Sequence, residues 1–256
     1  MTWVDRLPVR LRIAVIVFLA AGATVAMLSF PAFPQPLWYH DFADQRTIYQ
    51  VPNFANVASN AGFALAGLAG LLIVLRLPAE RPVTRLPYAI FALGLILVAA
   101  GSAYYHYRPS TGTLYWDRLP MTIAFMALLS ALIADRIDRR AGLVLLPVLL
   151  LAGLGGVTYW HLSELGGAGD LRPYLLVQIA AALSLPLILL LFRDRIGGDR
   201  YLVLLLAFYG LAVALENGDR WLLETTAGAI SGHTLKHLAA ALAAYLALHR
   251  LWKCAA

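Results

Sequence analysis

Long uninterrupted apolar runs dominate the chain. Runs of about 18 or more residues with few charges read as membrane-spanning helices. Eight such stretches can be marked, at about 11–30, 55–75, 87–106, 118–134, 142–160, 173–192, 201–216 and 233–250, the seventh being short. No segment alternates over about ten residues in the manner of a barrel strand. There is no internal repeat, no low-complexity tract and no linker long enough to set apart a soluble domain. The pattern predicts an all-α polytopic membrane helix bundle.

Composition agrees. Of the 256 residues, 61% are hydrophobic and 13% charged, too few polar groups to coat a soluble domain of this length. The net charge of +6 does not point to nucleic acid, because the basic residues sit in short loops, where they set orientation. One set of flanks carries Arg6, Arg10, Arg12, Arg76, Arg81, Arg85, Arg136, Arg139, Arg140, Arg193, Arg195, Arg200, Arg250 and Lys253. The alternate set carries only Arg46, Arg108, Arg118, Arg172 and Arg220. Both termini are therefore expected in the cytoplasm, with loops 31–54, 107–117, 161–172 and 217–232 on the other side. The first span also has the basic start and the small residues (Ala26 to Ala32) of a signal peptide. Its apolar run is long for one, so a retained helix is expected, and seven spans remain in either case. Cys254 has no partner for an intrachain disulfide, so cysteine says nothing of compartment.

The unusual polar residues collect on the non-cytoplasmic side. In GSAYYHYRPSTGTLYWDRLP (101–120), Ser102 and His106 are four apart and share a helix face. Pro109 and Gly112 mark a turn, and Asp117 is expected at the N-terminus of the next helix. In SGHTLKHL, His233 and His237 open the last span on one face. Three histidines are a ligand set that zinc takes in hydrolytic centres, leaving a fourth position for water. Zinc makes that water acidic enough to ionise near neutral pH. Asp117 is placed to take the water's proton, and Ser102 to donate to a developing oxyanion. Each residue also has a plainer reading: an interfacial histidine, an Asp117 N-cap, or a Ser102 bonded to its own helix. Ionisable groups converging at one membrane depth favour function.

A second polar cluster, YHDFADQRTIYQVPNFANVASN (39–60), offers Asp41, Asp44, Asn53 and Asn56 as oxygen ligands of the kind calcium takes. Arg46 sits among them and can stand in for a cation's charge. A solvated loop with Asn53 as a helix cap is the alternative, and the favoured one. His40, His161 and His249 lack such surroundings. Trp38, Trp160 and Trp221, near span ends, read as interface anchors. Glu216, Asn217 and Asp219 can each support a ligand from behind, but read rather as a polar helix end.

Ser102-x3-His106, then Asp117, then His233-x3-His237 resembles the alkaline ceramidases. It is also similar to the wider superfamily of seven-span hydrolases that includes the adiponectin and progestin receptors. The resemblance covers roughly residues 40–250 and treats the first span as an addition. It implies a seven-helix core at 35–256 after an N-terminal helix at 1–34. It further implies zinc on His106, His233 and His237, with Asp117 and Ser102 catalytic, and cleavage of ceramide or a related lipid amide to fatty acid and amine. Asp41-Phe42-x-Asp44 and Asn53-Phe54-x-Asn56-x2-Ser59-Asn60 look like the family's N-terminal elements, which favours ceramidase-like over receptor-like. Arg46 stands where the family has asparagine, and Asn53 where it has glutamate; both changes remove calcium-ligating capacity. The partners expected are a membrane lipid substrate and the bilayer, with no nucleic acid. Two other functions compete with this one. A receptor or sensor with structural zinc has no sizeable soluble domain through which to signal. A transporter would carry its ionisable residues at mid-membrane.

Overall fold

The computed structural model of the chain describes residues 6–78, 83–194 and 196–255. Arg81 and Arg195, two of the expected cytoplasmic charges, lie outside the described residues. Helix α1 (Val9–Ser29) leads into a loop holding one 3-10 turn (Leu37–His40). Helices α2 (Phe54–Ser59) and α3 (Ala61–Arg76) form one span jointed at Asn60. The long helices α4 (Arg85–Tyr107), α5 (Thr111–Arg136), α6 (Arg139–Leu165) and α7 (Arg172–Leu191) follow. Helices α8 (Asp199–Asn217) and α9 (Asp219–Thr225) meet at a 77° bend, and α10 (Gly232–Ala255) comes last. No strand is formed among the described residues beyond a single Ile48–Val51 bridge.

The protein is an all-α membrane bundle. Six spans are long and apolar enough to cross a bilayer, and the bent α8–α9 pair makes a seventh. The expected eighth, α10, has 24 residues but falls short in apolarity. Its polar groups are turned into the protein instead: His233, His237 and Arg250 are all buried. A helix packed inside a bundle can carry charges that a lipid-facing one cannot.

Helix α5 runs through the core. From Met126 to Arg136 every residue but Ile133 is buried. Helices α4, α6 and α7 pack on it, α3 packs on α4, and α10 fills the space between α3 and α8. Helices α7 and α8 touch only lightly. Helix α1 lies outside, with no fully buried residue, and leans on α7. Arginines tie this antiparallel pair at both ends. Arg12 donates to Leu191 O at 3.1 Å, and Arg172 donates to Phe30 O at 2.6 Å. Each thereby satisfies a carbonyl that a helix end leaves free.

The loop before α5 is shorter than the sequence suggests. Ser110 caps α5, its hydroxyl accepting the Thr113 N–H at 3.1 Å. The helix therefore starts at Thr111, and Asp117 lies in its second turn rather than at its N-terminus. A serine followed three residues later by a threonine that also bonds it was a better start signal than the aspartate.

The end of the bundle distal to the histidines is locked by charge. Arg250 of α10 reaches Asp135 of α5 at 3.3 Å, Asp194 at 2.6 Å and the Tyr88 hydroxyl of α4 at 3.1 Å. Tyr88 donates to Asp135 at 2.7 Å, and Arg136 pairs with Asp199 and with Asp194 at 3.4 Å. Both arginines are almost wholly buried.

Candidate active site

Three buried imidazoles converge at the other end of the same helices. His106 comes from the last turn of α4, and His233 and His237 from the first turns of α10. One ring nitrogen from each lies within 4.8 Å of the others, and the Nε2 atoms of His106 and His233 are 3.4 Å apart. Two ligands of a tetrahedral zinc ion stand about 3.3 Å apart, given Zn–N bonds of about 2.0–2.1 Å. The His106–His233 pair already has that spacing, so the donor set fits such an ion after a small contraction around His237. One further observation supports the fit. Nδ1 of His237 is 2.8 Å from Ser59 Oγ, and that hydroxyl donates onward to the Asn56 carbonyl at 3.0 Å. Ser59 therefore accepts from His237 Nδ1–H, which leaves Nε2 as the free lone pair.

The surrounding elements hold the imidazoles in place. Phe42 lies over His106 and His233, with ring centroids 4.6 and 4.9 Å away. Asp219, at the α8–α9 bend, accepts from the His233 N–H at 2.8 Å and from the Ala43 N–H at 3.0 Å. It thus caps α10 and pins the loop bearing Phe42. Gly232 makes that approach possible: a Cβ there would stand 2.1 Å from Leu215 O. Asp219 had read as a plain polar helix end; only the fold brings it to the histidine backbone.

Ser102, one turn before His106, is buried on the side of α4 that faces Asp117 of α5. The two helices come close because residue 101 is glycine. A Cβ on Gly101 would meet Trp116 O at 2.0 Å. Asp117 is outside the three-histidine group. It lies in the field of Lys236, Arg118 and Glu216. Lys236 had no role in the sequence reading. Its ammonium pairs with Glu216 at 2.6 Å and stands 3.5 Å from His233 Nε2. A lysine three residues after a histidine on a helix shares its face, and that spacing could have flagged it.

The four oxygen-ligand residues of the first loop are engaged elsewhere. Asp44 is buried and accepts from Arg46 Nε at 2.8 Å, from its Nη2 at 2.6 Å and from its backbone N–H. The Arg46 guanidinium holds the Asp44 carboxyl below its ordinary range, and reaches Ala229 O before α10. Asp170–Arg172 repeats the same Asp-x-Arg clip at the start of α7. Asn53, in the left-handed region at φ 50°, makes no side-chain cap bond but donates to His106 O at 2.9 Å. Asn56 accepts from Thr234 at 2.8 Å. Asp41 is exposed and contacts Gln45 and Arg220.

Of the remaining histidines, His40 bonds Tyr105 and Thr111, and burial followed by the nearby Arg118 pushes its pKa down. His161 stacks on Tyr115, and His249 contacts Tyr245. Trp38 and Trp221 are exposed, as interface anchors should be. Trp160 is not: it is fully buried, its ring lying against Arg118. It faces into the bundle because α6 is covered there by α5 and α7.

A family model described as Ceramidase matches residues 44–254. The chain belongs to the ceramidase family. The match takes in all three histidines, Ser102, Asp117 and the Asp44–Asn60 segment, and leaves α1 outside. A search of curated proteins returns no match. Membership of the ceramidase family supports a ceramide-hydrolysing amidohydrolase, and three buried histidines able to hold a metal ion stand within the matched region.

Proposed function

We propose that this ceramidase-family protein is a zinc-dependent integral-membrane hydrolase. It cleaves the amide of ceramide or a related lipid amide to fatty acid and amine. One observation carries the reading: three buried imidazoles meet with no carboxylate or thiolate among them. Such a set suits zinc. Zinc held by His106, His233 and His237 would supply Lewis acidity for activating water at neutral pH.

The chain's own residues do the rest. Asp117 takes the proton as the water oxygen bonds to the amide carbon, and returns it to the nitrogen as the C–N bond breaks. Ser102 holds Asp117 in orientation and offers its hydroxyl to the carbonyl oxygen as charge develops. Lys236, restrained by Glu216, adds positive charge on the same side. The lightly packed seam between α7 and α8 is the way in for an acyl chain. Charge bias in the loops sets the site near the non-cytoplasmic face, with both termini cytoplasmic. Helix α1 is an appended element at 1–34, beside a core at 35–256. Arg46 replaces a cation in the first loop, so the protein works without calcium.

Metal content per chain, on detergent-purified protein with a His237→Ala control, tests this reading. About one zinc in the wild type, absent from the folded variant together with ceramide hydrolysis, is expected. Hydrolysis persisting in a zinc-free variant would sink the assignment.

A further inference from the structure

Arg118 follows Asp117 on α5, and its side chain enters an aromatic box between α5, α6 and α7. The guanidinium carbon lies 4.4 Å from the Tyr174 ring centroid, 4.5 Å from Trp160 and 5.4 Å from Tyr39. The residue is 5% exposed, and Nη1 is buried with no hydrogen-bond partner. Arg118 differs in this from the other two buried arginines. Arg136 and Arg250 each bind two carboxylates, whereas Arg118 forms no ion pair with any described residue.

Ring faces attract a guanidinium through its flat side. They cannot accept the N–H bonds that leave its edge. The box therefore occupies the faces and leaves the edge as an unused donor fork. A planar oxyanion is the ligand that fork matches, since a carboxylate takes two parallel N–H bonds in one plane. The position matters as well, because Arg118 is next to Asp117 in the chain and its field reaches that carboxylate.

We propose that Arg118, boxed by Tyr39, Trp160 and Tyr174, is a carboxylate subsite that receives the acid end of the fatty acid released by hydrolysis. This rests on the reading of the protein as a lipid amidase. A neutral amide brings no charge to the fork, whereas the acid product does. The subsite therefore favours product over substrate, makes free fatty acid an inhibitor, and draws the acyl carboxylate away from Asp117 once the C–N bond is cut.

Binding of palmitate and of palmitamide, measured at pH 8 by calorimetry on detergent-purified protein, tests the proposal. The background is His237→Ala, so that a metal cannot supply the preference. Palmitate is expected to bind at least about tenfold more tightly than palmitamide, from charge-assisted hydrogen bonds alone. Adding Arg118→Gln should bring palmitate down to the palmitamide level and leave palmitamide unchanged. Equal affinities for acid and amide with Arg118 intact would overturn the subsite, whether or not the glutamine variant folds. So would an acid preference that survives in a folded Arg118→Gln protein. A wild-type protein that cleaves no lipid amide yet holds palmitate through Arg118 would refute the amidase reading and leave the subsite standing.

Discussion

Three helices carry two buried polar clusters, one at each end. Helix α4 supplies Tyr88 to one and His106 to the other; α5 supplies Asp135 and Asp117; α10 supplies Arg250 and His237. At about 1.5 Å rise per residue, the members on one helix stand about 20–27 Å apart. The clusters differ in how their charge is balanced. At the Arg250 end, cations meet carboxylates directly. At the histidine end, three imidazoles face one another with no carboxylate in their group; Asp117 stands outside it and Glu216 is paired with Lys236. A buried charge that meets an opposite one is a tie between helices. A buried set of lone pairs with no cation of its own is a receptor for one. The comparison separates structural from functional polarity inside one membrane bundle, where hydropathy alone treats both as costs.

Removing one member from each end should give opposite results. His237→Ala should abolish zinc binding and lower hydrolysis at least about a thousandfold, or about 4 kcal/mol in barrier. Against metal-stripped wild type, its stability should fall by only about 1–2 kcal/mol. Arg250→Met should keep one metal per folded chain but lose about 3–5 kcal/mol of stability, because it leaves buried Asp135 without a cation and Asp194 with Arg136 alone. Thermal unfolding read beside metal content distinguishes the two; a metal-free but stable Arg250→Met protein would collapse the contrast. Asp117→Asn sharpens the picture at the functional end. Turnover should drop about 10²–10⁴-fold with metal content unchanged, and loss of the metal would show that Asp117 helps to hold it instead.

Smaller effects test the supports. Gly101→Ala should cost about 1–3 kcal/mol by overpacking against the Trp116 carbonyl. It should also lower turnover by separating Ser102 from Asp117, which activity per folded molecule would register. The smallest effect is a pH dependence at the Asp44–Arg46 clip. The folded-state pKa of Asp44 is depressed by its hydrogen bonds from Arg46. Its stabilisation is therefore present above the unfolded carboxylate value of about 3.9 and lost as pH falls through the folded value. Arg46 is half exposed, which limits the gain to about 0.5–1 kcal/mol. Arg46→Met should differ from wild type by that amount at pH 7 and converge with it as the pH falls below the unfolded carboxylate value. EGTA should change neither protein.

The amino-acid sequence alone determined the all-α membrane architecture, because an apolar run of spanning length has few other solutions in a bilayer. It also marked His106, His233 and His237, since ionisable groups are rare enough in such helices for their spacing to carry meaning. Tertiary structure decided what local pattern cannot encode. Asp117 sits in the second turn of α5 because Ser110 provides the cap. Asp219 reaches the histidine end through the α8–α9 bend, and Glu216 meets Lys236 there. Trp160 turns inward to box Arg118, although its place near a span end suggested an interface anchor. Arg118 and Arg250 both read only as charges flanking spans, on opposite sides, yet Arg250 found carboxylates and Arg118 only ring faces. Whether a buried charge is tied or left free depends on which helices lie beside it, and that is set by packing across the bundle.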